Sequence, residues 1–176
     1  MNRRVEHRPW LLLSLPLACL LLGGCGQSVA PEILALREQL IVPQEPQGAI
    51  TIEQARQQVE DDPNVTLTVK VGNRNFPEWS AENQATFYVS EGFPGSDYNV
   101  GPDHDPSTCP FCKWKWKEED SLAVVHVVDE SGEVLPYSAE TVLDVAPGST
   151  LTIQGDGSVD ESGFLNVRLT GLFVHP

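Results

Sequence analysis

The residues best equipped for chemistry lie in one short run, Asp103-His104-Asp105-Pro106-Ser107-Thr108-Cys109-Pro110-Phe111-Cys112. Two thiols separated by two residues can curl around one tetrahedral ion, and His104, five residues before Cys109, has the chemistry of a third ligand. Thiolate sulfur and imidazole nitrogen are the donors that zinc takes in tetrahedral sites. Asp103 or His126 could complete the set, as could a cysteine pair from a second subunit. Zinc comes before softer ions on prevalence. The pair has two other outlets. In an oxidising compartment Cys109 and Cys112 can close as a disulfide, although so short a loop gains little chain entropy and strains the bond geometry. They can also exchange electrons as a dithiol.

Cys109-Pro110-Phe111-Cys112 resembles one knuckle of a zinc ribbon, which implies a second knuckle that this sequence does not contain. It is also similar to the dithiol of glutaredoxin-like proteins, where the pair belongs at a strand-to-helix turn whose helix N-terminus activates the thiol. Here the pair is followed by Lys113-Trp114-Lys115-Trp116-Lys117 and then an apolar run, so the context departs from that motif. Lys113 also stands where a haem attachment requires histidine. His126 sits on an apolar strand, where an imidazole is more often hydrogen-bonded than ligating. Trp114 and Trp116 share one face of a strand and the lysines the other, the pattern of an edge strand pinned by two indoles. Asp156, Ser158 and Asp160 have calcium-like spacing, but Glu161 stands where an EF-hand needs glycine. Ser131 and Ser162 lack a convincing base in sequence, so no catalytic constellation is visible and the reading leans away from an enzyme.

The compartment in which these thiols work is written at the start of the chain. Arg3, Arg4 and Arg8 precede a mostly apolar run from Trp10 to Leu22, interrupted by Ser14 and Pro16 and followed by Gly23-Gly24-Cys25. A basic n-region, a short apolar h-region and small residues before a cut are what export requires, and the run is too short to span a bilayer comfortably. Leu22-Gly23-Gly24-Cys25 resembles the lipobox of bacterial lipoproteins. That resemblance implies removal of residues 1–24 as a signal peptide, a diacylglycerol thioether on Cys25 and an acylated (palmitate-type) new amino terminus. Two or three acyl chains hold a protein durably on a membrane where one does so only marginally. Gly26 follows the cysteine in place of the aspartate that resembles an inner-membrane retention signal, which favours the outer membrane where a cell has one. Lipidation of Cys25 and loss of Cys19 with the signal would leave Cys109 and Cys112 as the one reactive pair.

Composition narrows the partners. The chain carries 11 Lys+Arg and 25 Asp+Glu, and loss of residues 1–24 removes three arginines and Glu6, leaving 8 against 24 and a net charge of −16. Such a charge opposes phosphate backbones, whose binding depends on Lys and Arg, so no nucleic acid is expected. A membrane through the lipid on Cys25, and a protein, are the partners expected.

The elements that must position the CxxC run follow from periodicity. Residues 25–50, with Pro43, Pro46 and Gly48 as breakers, read chiefly as a lipidated tether, although Ile33, Leu34, Leu36 and Leu40 have helical spacing. Thr51-Ile52-Glu53-Gln54 has the form of a capping box and predicts a short helix over 52–60. Val65, Leu67, Val69 and Val71 alternate with Thr66, Thr68 and Lys70, the period of a half-buried strand. Further strands are predicted at 85–90, at 122–128, at Leu151 and Ile153, and over 164–174 with Gly171 bending it. Ser138 to Leu143 is a helix candidate between the third and fourth strands, and Gly155-Asp156-Gly157 with Glu161-Ser162-Gly163 brackets a hairpin. This order resembles the OB-fold. It implies a mainly β fold: a single five-stranded Greek-key (OB-like) barrel over 51–176, with a short N-terminal helix and a long insertion, 91–121, between strands two and three. An insertion of that length is commonly functional or disordered. The expectation is a lipid-anchored extracytoplasmic binding or scaffolding protein whose CxxC loop is stabilised by metal or disulfide. A membrane-tethered thiol-disulfide oxidoreductase using Cys109 and Cys112 is the alternative.

Overall fold

Strict alternation makes β1 (Asn64–Val71) a strand with one dry face: Val65, Leu67, Val69 and Val71 are all buried. The computed structural model describes residues 29–73, 78–92, 104–105, 108–110, 112–113 and 117–176. Four more strands repeat the alternation: β2 (Thr86–Glu91), β3 (Leu122–His126), β4 (Thr150–Val159) and β5 (Leu165–Val174). Phe87 and Val89, Ala123 and Val125, Leu151 and Ile153, and Leu165 and Val167 turn inward beside the β1 valines. The strands close in the order β1-β2-β3-β5-β4, with β4 paired back on β1. Every pairing is antiparallel except β3 with β5, which is the Greek-key signature of the OB-like barrel. Closure gives each of the five described strands a neighbour on both sides.

Helix α3 (Ala139–Leu143) lies between β3 and β4, with Ser138 accepting the Thr141 N–H as its cap and Ala139, Val142 and Leu143 buried. Helix α2 (Ile52–Gln58) forms where the capping box predicts it: the Thr51 hydroxyl accepts from Gln54 N–H, and the Gln54 side chain accepts from Thr51 N–H, both at 3.1 Å. It packs Ile52, Ala55 and Val59 into the core beside the start of β1 and the β4–β5 turn, the end of the barrel opposite α3.

Two features depart from the sequence reading. Gly155 and Gly157 do not turn the chain; they lie inside β4, which runs on to Val159 before the turn at 160–163. Both positions need glycine for closeness. A Cβ on Gly155 would stand 2.2 Å from the Arg168 carbonyl oxygen, and one on Gly157 would stand 2.8 Å from the Val59 side chain. Beside Gly155 the ladder slips: Gly155 pairs with Leu169 while Gln154 pairs with Gly171, so β5 carries one extra residue. This bulge changes the parity of β5 and brings Leu172, opposite Ile153, into the core.

The second departure is the stretch expected to be a tether, which from Val29 onward belongs to the folded domain. Helix α1 (Pro31–Leu40) buries Ile33 and Leu40, and Val29 and Ala30 pack against the core. Its Arg37 caps α3 from outside: Nε donates to the Val142 carbonyl at 2.8 Å and an Nη to the Thr141 carbonyl at 2.7 Å. A guanidinium at a helix C-terminus satisfies carbonyls that have no partner in the helix and meets the negative end of its dipole. Residues 41–50 then strap the outside of the barrel, Val42 N–H donating to Leu172 O at 2.8 Å and Ile50 N–H to Thr66 O at 3.0 Å. Under the strap the fully buried Thr152 hydroxyl donates to Glu45 Oε1 at 3.0 Å and meets His175 Nε2 at 2.9 Å. A helix of ten residues is marginal alone; docking is what makes α1.

Candidate metal site

The insertion between β2 and β3 is rooted at the α2 end of the barrel. Glu91, 5% exposed, closes β2, and its carboxylate accepts the Ile52 N–H at 2.9 Å, at the positive end of α2. On the returning side a single 3-10 turn (Glu118–Asp120) leads into β3, and Asp120, also 5% exposed, forms an ion pair with Arg56 of α2. Arg56 Nε donates in addition to the Gly163 carbonyl at 2.7 Å. The Glu91 N–H to Ser121 O bond, 2.9 Å, joins the two strand ends directly. Asp120 turns inward to Arg56, a partner 64 residues away.

Within the insertion two successive turns shape the thiol loop. The Asp105 carbonyl accepts the Cys109 N–H at 2.9 Å, and the Cys109 carbonyl accepts the Lys113 N–H at 3.0 Å. This winding keeps Cys109 and Cys112 on a common side and returns His104 to them. Cys112 Sγ lies 3.3 Å from His104 Nε2, and one ligand atom from each of His104, Cys109 and Cys112 falls within 4.8 Å of the others. All three side chains are half-buried, and the sulfurs are not joined as a disulfide. The spacing suits a metal ion. With Zn–S near 2.3 Å and Zn–N near 2.0 Å, a tetrahedral centre sets neighbouring ligand atoms about 3.5 to 3.8 Å apart.

The other predicted ligands fall elsewhere. His126 ends β3, and both its ring nitrogens are engaged, Nδ1 with Thr86 Oγ1 at 2.9 Å and Nε2 with Asn166 Oδ1 at 3.0 Å. The Asn166 carbonyl oxygen can only accept, so Nε2 donates to it. His126 is a cross-strand rivet on β2, β3 and β5, apart from the group formed by His104, Cys109 and Cys112. Asp103, Phe111, Trp114 and Trp116, and Cys25 with the expected export signal before it, lie outside the described residues. Asp160 serves a hairpin turn: burial acts to raise its pKa, but hydrogen bonds from the Phe164 N–H, the Asn166 amide and the Ser162 N–H outweigh it and hold the carboxyl below its ordinary value.

Sequence reasoning missed the two buried carboxylates, Glu91 and Asp120, that fix the roots of the loop. A glutamate ending a half-buried strand is an ordinary edge residue by pattern; only the approach of α2 makes it a cap. Compared with models of known protein families, with curated proteins and with solved structures, the chain matches none. Fold and site define the class by themselves: a small acidic OB-like β barrel with a His/Cys/Cys cluster in the loop between its second and third strands, able to hold a metal ion.

Proposed function

We propose that this chain is an exported protein anchored by lipid on Cys25, whose barrel is a binding or scaffolding module displaying a loop organised by zinc. The observation that carries the metal reading is the convergence of His104 on Cys109 and Cys112. A disulfide would use the two sulfurs and leave the imidazole without a role; a metal uses all three donors, and the Cys2His set suits zinc. Burial of Glu91 and Asp120 at the roots of the loop supports a display role, because a loop held at both ends presents its ligands in a fixed frame. The lipid anchor rests on Leu22-Gly23-Gly24-Cys25 behind a basic and apolar leader.

The test is metal analysis with thiol counting on residues 26–176, which contain every described element. One zinc per chain is expected, lost on chelation and reduced by His104→Ala and by Cys109→Ser. A protein with no metal and two unreactive sulfurs overturns the reading. The anchor is tested by the mass of the membrane-extracted protein, which should begin at an acylated Cys25.

One observation favours a second reading, a membrane-tethered thiol oxidoreductase. The His104 imidazole stands within hydrogen-bonding distance of Cys112 Sγ and can take its proton. The more exposed of the two thiolates would attack a substrate disulfide, releasing one substrate thiol. Closure of the Cys109–Cys112 bond would then release the second, passing two electrons to the substrate. Reversible cycling with a dithiol at a poise typical of oxidoreductases would replace the metal reading with this one.

A further inference from the structure

If Cys25 carries the lipid, as proposed above, its distance from the folded domain is set by a count of residues. Val29 already packs against the core and Pro31 opens α1, so only residues 26–28 intervene. From Cys25 to Val29 is four residue steps, at most about 14 Å of fully extended chain. The barrel is larger than that: the ten residues of β4 rise about 33 Å along the strand and, at the usual barrel tilt, about 25 Å along the axis. The leash is therefore shorter than the domain is tall, and the domain cannot turn over freely.

We infer that the barrel stands on the lipid surface with its α1–α3 end inward and the roots of its insertion outward. The chain enters beside a cleft of about 620 Å³ lined by Val29, Ala30, Arg37, Glu82, Asn83 and Glu140, so these residues face the headgroups. Glu91 of β2 and Asp120 of the 3-10 turn, which root the insertion, are held against α2 at the opposite end, so the insertion leaves the barrel on the side away from the lipid. Attraction does not hold this pose. Glu82, Glu140 and Asp144 line the same cleft and repel anionic lipid, so the short leash alone imposes it.

The experiment uses the full-length chain, processed and lipidated in its host and reconstituted in vesicles of phosphatidylethanolamine with phosphatidylglycerol. A photoreactive benzophenone residue replaces Asn83, before β2, or Ser162, in the exposed β4–β5 turn. Irradiation should give lipid adducts at position 83 and none above background at 162. Twenty Gly/Ser residues inserted after Ser28 add a mean span of about 25 Å and should abolish the difference. Equal adducts at both positions in the uninserted, acylated protein overturn the orientation while leaving the anchor intact. A membrane-extracted protein without acyl groups on Cys25 overturns the anchor and the orientation with it.

Discussion

Replacing Asp120 and Arg56, singly and together, tests whether the buried ion pair at the root of the insertion holds the α2 end of the domain. The Asp120 side chain is 7% exposed and that of Arg56 20%, and Arg56 keeps a second partner in the Gly163 carbonyl. Removing one member of a buried pair costs about 3–5 kcal/mol, because the survivor is left charged and poorly hydrated. For Asp120→Leu the surviving guanidinium retains some solvent and one carbonyl, which lowers the expectation to about 2–3 kcal/mol. Arg56→Met strands a carboxylate that water reaches less, and about 3–4 kcal/mol is expected. The double variant Arg56→Met/Asp120→Leu removes both charges and fills the space with apolar atoms, and should fall within about 1 kcal/mol of the parent. Urea unfolding of residues 26–176, followed by circular dichroism and tryptophan fluorescence, gives the four stabilities. The cycle should return a coupling of at least about 2 kcal/mol. Additive single losses, with the double variant as unstable as their sum, would refute the argument that each charge is tolerated only because of the other.

Two further outcomes follow from the same structure. Gly155→Ala sets a Cβ 2.2 Å from a backbone oxygen that cannot rotate away, and should cost about 3 kcal/mol in urea unfolding; a loss under about 1 kcal/mol would mean that β4 and β5 can part there. Hydrogen bonds from the Ser131 side chain and the Glu133 N–H hold the Asp129 carboxyl below its ordinary value, and bonds from Asn64 do the same for Asp62. A depressed folded-state pKa contributes stability that is complete above the unfolded value of about 3.9 and is lost as pH falls through the folded value. The stability deficit of Asp129→Ala relative to the parent should therefore be largest at pH 6 and shrink at pH 2.5; a deficit that grows on acidification reverses the sign and refutes the assignment.

Much of the barrel is legible in neighbouring residues. Alternation from Val65 to Val71 specifies a strand with one dry face, and Thr51 with Gln54 marks where α2 starts. The segment Ser138–Leu143, placed between two apolar runs, is enough to suggest a helix between the third and fourth strands. Helix α1 was half legible. Pro31 in its first turn, Glu32 beside it and Arg37 in the last turn are start and stop signals, but Ala30 offers no side-chain cap and the prolines that follow suggest a tether. The Gly155-Asp156-Gly157 run misled for a different reason. Glycine marks both turns and close approaches, and only the partner strand says which.

The candidate site divides in the same way. Cys109, Cys112 and a histidine nearby are visible as a possible ligand set from spacing alone, because the two-residue gap is a local constraint on where two sulfurs can point. The choice of His104 over His126 belongs to the tertiary structure, since closure of the barrel gives His126 its Thr86 and Asn166 partners, each 40 residues away. Glu91 as a cap of α2, Asp120 as the counter-ion of Arg56 and Arg37 as the cap of α3 likewise exist only once distant segments meet. Local periodicity by itself determined which residues face the core and where strands and caps begin. What the buried charges and imidazoles do was decided by the folded barrel, because a buried polar group must find its partner in space, and the chain order does not say who that will be.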